Sequence, residues 1–121
     1  MKTILFIEDE SILQKTLSGV LQTNGFRVLQ AMDGEAGLET ARKERPDLIL
    51  LDLVLPRKDG FQVLADLKQS PETKETPVIV LTNLEGAEEV EKSLAGGATT
   101  YLVKANYNLQ EVLEKIKETI G

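Results

Sequence analysis

Four aliphatic runs in this chain each lead into a residue that can handle a phosphoryl group. Ile4-Leu5-Phe6-Ile7 leads into Glu8-Asp9-Glu10, Leu48-Ile49-Leu50-Leu51 into Asp52, Val78-Ile79-Val80-Leu81 into Thr82, and Tyr101-Leu102-Val103 into Lys104. Brought together, these residues make a cluster of carboxylates with one hydroxyl and one ammonium. Two carboxylates ~4 Å apart repel by about 4 kcal/mol at an effective dielectric of ~20. Such a cluster either raises a pKa or recruits a cation. The sequence contains no histidine and no cysteine, which points away from zinc. Carboxylates joined by a backbone carbonyl and waters suit Mg²⁺, which keeps several waters and commonly bridges to phosphate.

The cluster exists only if a sheet assembles it. Continuous Val/Ile/Leu runs are the mark of parallel strands buried on both faces. An open α/β sheet binds its ligands outside the carboxyl ends of its strands, at the point where the strand order reverses. In a five-stranded sheet of order 2-1-3-4-5, the first and third strands flank that point. Asp9 follows the first and Asp52 ends the third. The second strand, Phe26 to Gln30, ends without charge and suits the sheet edge.

Helical segments alternate with these strands, which argues for an α/β fold with right-handed crossovers. Ser11-Ile12-Leu13-Gln14 reads as a capping box, followed by an apolar stripe of Leu13, Leu17, Val20 and Leu21. Asp33-Gly34 starts the second helix, with Leu38 and Ala41 inward. A loop then holds Pro56 and the turn pair Asp59-Gly60. Phe61, Leu64, Ala65 and Leu67 mark the third helix. The fourth is expected from about Leu84 to Ala95. Asn108 with Glu111 caps the fifth, which Leu109, Val112, Leu113, Ile116 and Ile120 stripe. All these stripes have an ordinary account as core packing.

At 121 residues the chain fits one domain, spanning 1–121. Its formal charge of −6 argues against autonomous nucleic-acid binding, which needs a basic face. No apolar run approaches the ~20 residues of a membrane span. Met1-Lys2-Thr3-Ile4 shows no cleavage-site pattern, so the expectation is no membrane and a cytoplasmic location. Without histidine, any phosphoryl group carried on histidine must come from another protein.

Taken singly, the chemical residues have ordinary readings. Acidic residues complement a helix start, threonine caps helices, and lysine sits at surfaces. The joint pattern is more specific. Across essentially all 121 residues, the chain resembles the response-regulator receiver domains of two-component signalling, chemotaxis receivers among them. The resemblance rests on Ile4 to Glu10, Pro46 to Pro56 with Asp59-Gly60, Pro77 to Thr82, and Gly97-Ala98 leading to Tyr101-Leu102-Val103-Lys104. It implies a flavodoxin-like (βα)5 doubly wound sandwich.

The resemblance also implies roles. Asp52 would accept the phosphoryl group as an acyl phosphate. Asp9 would hold Mg²⁺ directly and Glu8 directly or through water, with Asp52 and the Val54 carbonyl completing the protein ligands. Lys104 would pair with Asp52 at rest and with a phosphoryl oxygen afterwards. Thr82 would donate its hydroxyl to another oxygen, and Tyr101 would swing inward as Thr82 moves. The donor would be a sensor histidine kinase or a histidine phosphotransfer protein. The readout would be the surface of the fourth helix, fifth strand and fifth helix, acting on a target protein or an attached output domain. The same surface allows a homodimer. The chain would catalyse only its own phosphorylation and dephosphorylation.

Several positions depart from the family pattern. Glu8 stands where aspartate is commoner. Asn83 follows Thr82 where a small residue is frequent, and is expected to narrow access. Arg57 and Lys58 place positive charge on the loop after Asp52, as a solvated loop or as a kinase contact. Ala105 replaces the proline that usually follows the lysine through a cis bond. Since Lys104 must still reach the site, the expectation leans to a cis Lys104-Ala105 peptide, although a non-proline cis bond costs ~2.5–4 kcal/mol. Three other readings compete. A Mg²⁺-dependent phosphatase with an aspartyl nucleophile would need a general-acid carboxylate two residues after it, where this chain has Val54. A receiver-like scaffold that is never phosphorylated conflicts with the intact Asp9, Asp52, Thr82, Lys104 set. A flavin or nucleotide binder lacks the Gly-rich phosphate cradle.

Overall fold

The aliphatic runs form the strands, and the side chains of Asp33, Asp59 and Asn108 cap three of the five α-helices. The computed structural model describes all residues 1–121. The elements are β1 (Thr3–Ile7), α1 (Ser11–Thr23), β2 (Arg27–Ala31), α2 (Gly34–Glu44), β3 (Leu48–Leu51), α3 (Gly60–Gln69), β4 (Val78–Thr82), α4 (Ala87–Ala95), β5 (Thr100–Val103) and α5 (Leu109–Ile120), with a short 3₁₀ turn, Lys104–Asn106, after β5. All strand pairs are parallel, in the order β2-β1-β3-β4-β5. This is the doubly wound, flavodoxin-like architecture, with β2 at the edge.

Alternate residues of each central strand feed two separate cores. Leu5, Ile7, Ile49, Leu51, Val78 and Val80 pack with Leu38 and Ala41 of α2 and with Val63, Leu64 and Leu67 of α3. Ile4, Phe6, Leu48, Leu50, Ile79, Leu81 and Leu102 pack with Leu17 and Leu21 of α1 and with Val112, Leu113 and Ile116 of α5. Helices therefore cover both faces of the sheet, which is why its strands read as unbroken aliphatic runs. α4 lies beside α3, its Lys92 ammonium 4.3 Å from the centre of the Phe61 ring. No helix is long and apolar enough to cross a membrane.

The register puts the chemistry at one rim. Ile7 pairs with Ala31 on one side and Leu51 on the other, so β1 and β3 end together. Leu51 pairs with Val80, and Thr82 with Val103. The residues after those ends, Glu8-Asp9, Asp52 and Lys104, leave the sheet at the same edge.

Three local expectations are corrected. The capping box at Ser11 does not form: Glu10 is the N-cap, with no side-chain cap bond, and Ser11 is the first helical residue. Gln14 turns into the protein instead and is buried. The fourth helix starts at Ala87 rather than Leu84. Leu84 packs against the core of the α2–α3 face, and its carbonyl accepts a hydrogen bond from Tyr101, so the backbone there is committed elsewhere. Asp59-Gly60 is a helix start rather than a free turn, because the Asp59 side chain accepts from the Gln62 N–H at 3.0 Å.

Candidate functional site

β1 delivers Glu8 to a buried position beneath the rim of the sheet. The Glu8 N–H continues the ladder to the Ala31 carbonyl at 3.0 Å, and the Asp52 N–H does the same to the Ile7 carbonyl at 3.1 Å. Glu8 is fully buried and Asp52 is 4% exposed. Charged groups this deep must be paired. Lys104 Nζ supplies the partner, 2.8 Å from Glu8 Oε1 and 3.1 Å from Asp52 Oδ2. The Asp52 contact is a directed hydrogen bond, whereas Glu8 Oε1 receives none and is held by charge alone. The other oxygens are occupied: Glu8 Oε2 accepts from the Glu10 N–H at 3.1 Å and Asp52 Oδ1 from the Val54 N–H at 3.2 Å.

Ionisation follows from this geometry. Burial pushes the Glu8 carboxyl up, and the Asp52 charge adds to the rise. The Lys104 ammonium 2.8 Å away and the Glu10 N–H oppose it without cancelling it. Burial alone would lower the Lys104 ammonium, but the adjacent Glu8 and Asp52 carboxylates outweigh it, so its net shift is upward.

Glu8, Asp9 and Asp52 each offer an oxygen, all within 4.8 Å of one another. Three carboxylates against one ammonium leave two negative charges, which one divalent cation balances. The donors are hard oxygens and one of them, Glu8 Oε1, lacks a hydrogen bond, so the residues present fit Mg²⁺. Val54, 57% exposed, lines the same cleft of about 320 Å³ with Glu8, Asp9, Asp52 and Lys104, and Glu10 and Asn83 complete its wall. Gly60 shapes the loop that returns from Asp52. A Cβ there would overlap the Asp52 carbonyl and the Leu53 Cα, so only glycine lets α3 start so close to the site.

The remaining residues lie around this cleft. Thr82 is fully buried at the end of β4, and its Oγ1 accepts only the Leu84 N–H, at 3.5 Å. Tyr101 is half-buried, with its hydroxyl donating to the Leu84 carbonyl at 2.7 Å. Burial pushes that phenol up, and the Glu89 and Asp52 charges push it further. Asn83 is exposed at the cleft wall. Arg57 lies 3.7 Å from Asp33 Oδ2 and 3.9 Å from Glu35 Oε2, and Lys58 pairs with Asp66. Both loop cations therefore have partners within the chain.

The Lys104-Ala105 expectation is corrected. The chain has no cis peptide bond, and Lys104 reaches Asp52 through a trans peptide. The 3₁₀ turn Lys104–Asn106, closed by the Tyr107 N–H to the Lys104 carbonyl at 3.4 Å, reroutes the chain without proline. Glu10 also enters the site's electrostatics, at 4.0 Å from Lys104 Nζ. Its place in the acidic triplet was the sequence signal for it.

A model of the response regulator receiver domain matches residues 4–117. Over 117 residues the chain is 36% identical to the DNA-binding dual master transcriptional regulator RpaA of Synechocystis, covering 97% of this chain and 48% of that protein. Over 120 residues it is 30% identical to the polar-differentiation response regulator DivK of Brucella anthropi, covering 99% and 97%. The chain thus spans about half the length of RpaA and nearly all of DivK. The crystal structure of the receiver domain of a Pseudomonas aeruginosa sensor histidine kinase, with a magnesium ion coordinated in its active site cleft, superposes with a TM-score of 0.89 at 28% identity, covering 99% of this chain and 98% of that one.

Proposed function

The chain belongs to the response-regulator receiver family, in which phosphorylation of an aspartate with Mg²⁺ is the general property, and on that premise we propose that Asp52 is its phosphoacceptor. One observation carries the reading: Asp52 sits almost buried in the acidic cluster, with Lys104 3.1 Å from its Oδ2. An Asp52 oxygen attacks the phosphorus of a phosphohistidine on a kinase or phosphotransfer protein. The new O–P bond forms as the P–N bond breaks, and the nitrogen leaves with its electron pair. Lys104, already beside Asp52, stabilises the charge of the transferred group. Glu8, Asp9, Asp52 and the Val54 carbonyl would hold Mg²⁺. When bound there, the ion offsets charge on the phosphoryl oxygens, and what remains is positioning.

The switch is a population shift, and its size equals the differential interaction of the two states with the phosphoryl group. Phosphorylation adds nearly two negative charges and strong acceptors. Thr82 must turn its hydroxyl from the Leu84 N–H to a phosphoryl oxygen. Tyr101 must then release the Leu84 carbonyl to move inward. Both events act on the segment that leads into α4, so the readout is the surface of α4, β5 and α5, presented to a target or to an attached output domain. The chain's chemistry is confined to its own phosphorylation and dephosphorylation, because Val54 stands where a phosphatase would need a second carboxylate.

Incubation with acetyl phosphate and Mg²⁺ tests this. The intact protein should gain the mass of one phosphoryl group, and Asp52→Asn should abolish the gain. A gain that persists in Asp52→Asn, or no gain with folded protein, overturns the assignment.

A further inference from the structure

Gln14 is the one long polar side chain that helix α1 buries, and the chemistry above makes no use of it. Its Nε2 donates to three carbonyls: Phe6 at 3.0 Å, Glu8 at 3.2 Å and Ala31 at 3.3 Å. Its Oε1 accepts from Ser18 Oγ at 3.1 Å, one turn further along the same helix. Two amide protons shared among three carbonyls fix the side chain in one orientation, and Ser18 fixes which end faces the strands.

The Glu8 carbonyl gives these contacts their consequence. No backbone N–H reaches it, so Gln14 is its only donor within the chain. That carbonyl belongs to the planar peptide joining Glu8 to Asp9. Pinning the plane sets the direction in which the Asp9 side chain leaves the backbone. Asp9 is exposed, and its carboxylate takes part in none of the chain's ion pairs or side-chain hydrogen bonds. Within the chain, only the backbone therefore constrains its Cα–Cβ direction, from which the carboxylate comes within 4.8 Å of those of Glu8 and Asp52. The neighbouring Ala31 carbonyl is shared between Gln14 Nε2 and the Glu8 N–H, so the same amide also ties the ends of β1 and β2 together beneath the acidic turn.

We infer that Gln14 is a positioning residue for the divalent-cation site, holding the Glu8–Asp9 peptide so that the Asp9 carboxylate faces Glu8 and Asp52. This rests on the reading of those three carboxylates as the cation site.

The test titrates Mg²⁺ alone into the whole chain and reads its dissociation constant from amide NMR shifts. Gln14→Met keeps the length and burial of the side chain and removes its donors. It should weaken Mg²⁺ binding about five- to twentyfold, with Glu8, Asp9 and Glu10 amide shifts already displaced in the metal-free protein. Ser18→Ala, which frees Oε1 and leaves the donors, should weaken binding two- to threefold and keeps the test alive if Gln14→Met does not fold. Leu21→Val, a core change on the same helix, should leave the constant within twofold of the parent. Gln14→Met and Ser18→Ala both binding like the parent, or Leu21→Val weakening binding as much as they do, overturns the positioning role and leaves the cation site standing. A parent chain that binds no Mg²⁺ overturns the site itself and the positioning role with it.

Discussion

α4 and α5 are consecutive helices on either side of β5, yet they are attached to the sheet by opposite means. α5 begins with a complete capping box, in which Asn108 accepts from the Glu111 N–H at 2.8 Å and Glu111 from the Asn108 N–H at 2.9 Å. It buries Val112, Leu113 and Ile116 almost fully. α4 begins at Gly86 with no side-chain cap bond, and the one residue it buries is Ser93, whose hydroxyl has no partner. Its Leu94 is 46% exposed. A buried aliphatic side chain contributes about 2 kcal/mol, so α5 carries three such anchors and α4 carries none. The difference teaches where a switch can live. A phosphoryl group can move only an element whose two positions differ by less than its own differential contacts provide. On the proposed switch, α4, without a buried aliphatic anchor, is the element that moves, and α5 is the fixed surface against which its movement is read.

The largest expected effect breaks the comparison at its stronger end. Leu113→Ala should destabilise the chain by about 3 kcal/mol in urea unfolding, whereas Leu94→Ala should change stability by no more than about 0.5 kcal/mol. Equal losses would mean that α4 is anchored as firmly as α5. Tyr101→Phe comes next. Losing its bond to the Leu84 carbonyl should cost about 1 kcal/mol and raise hydrogen exchange in the β4–α4 segment without touching α5. A rise spread evenly over both helices would remove Tyr101 as a clamp.

Ser93→Ala sharpens the contrast from the other side. It deletes an unpartnered buried hydroxyl, so stability should rise by up to about 1 kcal/mol, with slower exchange in α4. A loss of stability would show that the hydroxyl is satisfied after all.

The smallest effect lies on α3, the neighbour of α4. The Lys58 partner holds the Asp66 carboxyl below its ordinary value, against a smaller opposing effect of burial. A carboxyl lowered in the folded state stabilises at pH above its unfolded value near 3.8, and that contribution fades as pH falls through the folded value. The stability gap between the parent and Asp66→Asn, under about 1 kcal/mol after solvent screening, should therefore shrink as the medium is acidified below pH ~4. A gap that widens in acid would reverse the sign.

The legible parts of the fold were those where one strong local rule acted alone. Strands buried on both faces leave no choice but aliphatic runs, so Ile4–Ile7 and Leu48–Leu51 were readable, and so was the acidic rim that follows them. The Asn108–Glu111 cap is local chemistry and was readable for the same reason. Three features needed tertiary information. Ser11 to Gln14 satisfies the capping-box spacing, but Gln14 also stands three residues before Leu17 and seven before Leu21. That spacing places it on the buried face, and burial prevailed. Leu84 fits a helix start until Tyr101 and the core claim it. The path of Lys104 depends on how a proline-free turn folds, and a trans peptide with a 3₁₀ turn reaches the site without the cost of a cis bond.

Peptide-resolved hydrogen exchange of the whole chain, before and after phosphorylation with acetyl phosphate and Mg²⁺, tests the central claim most directly. Protection should change across Leu84 to Ala95 and stay unchanged across Leu109 to Ile120, with no change in either segment for Asp52→Asn. Equal change in both helices, or the same change in Asp52→Asn, would contradict it.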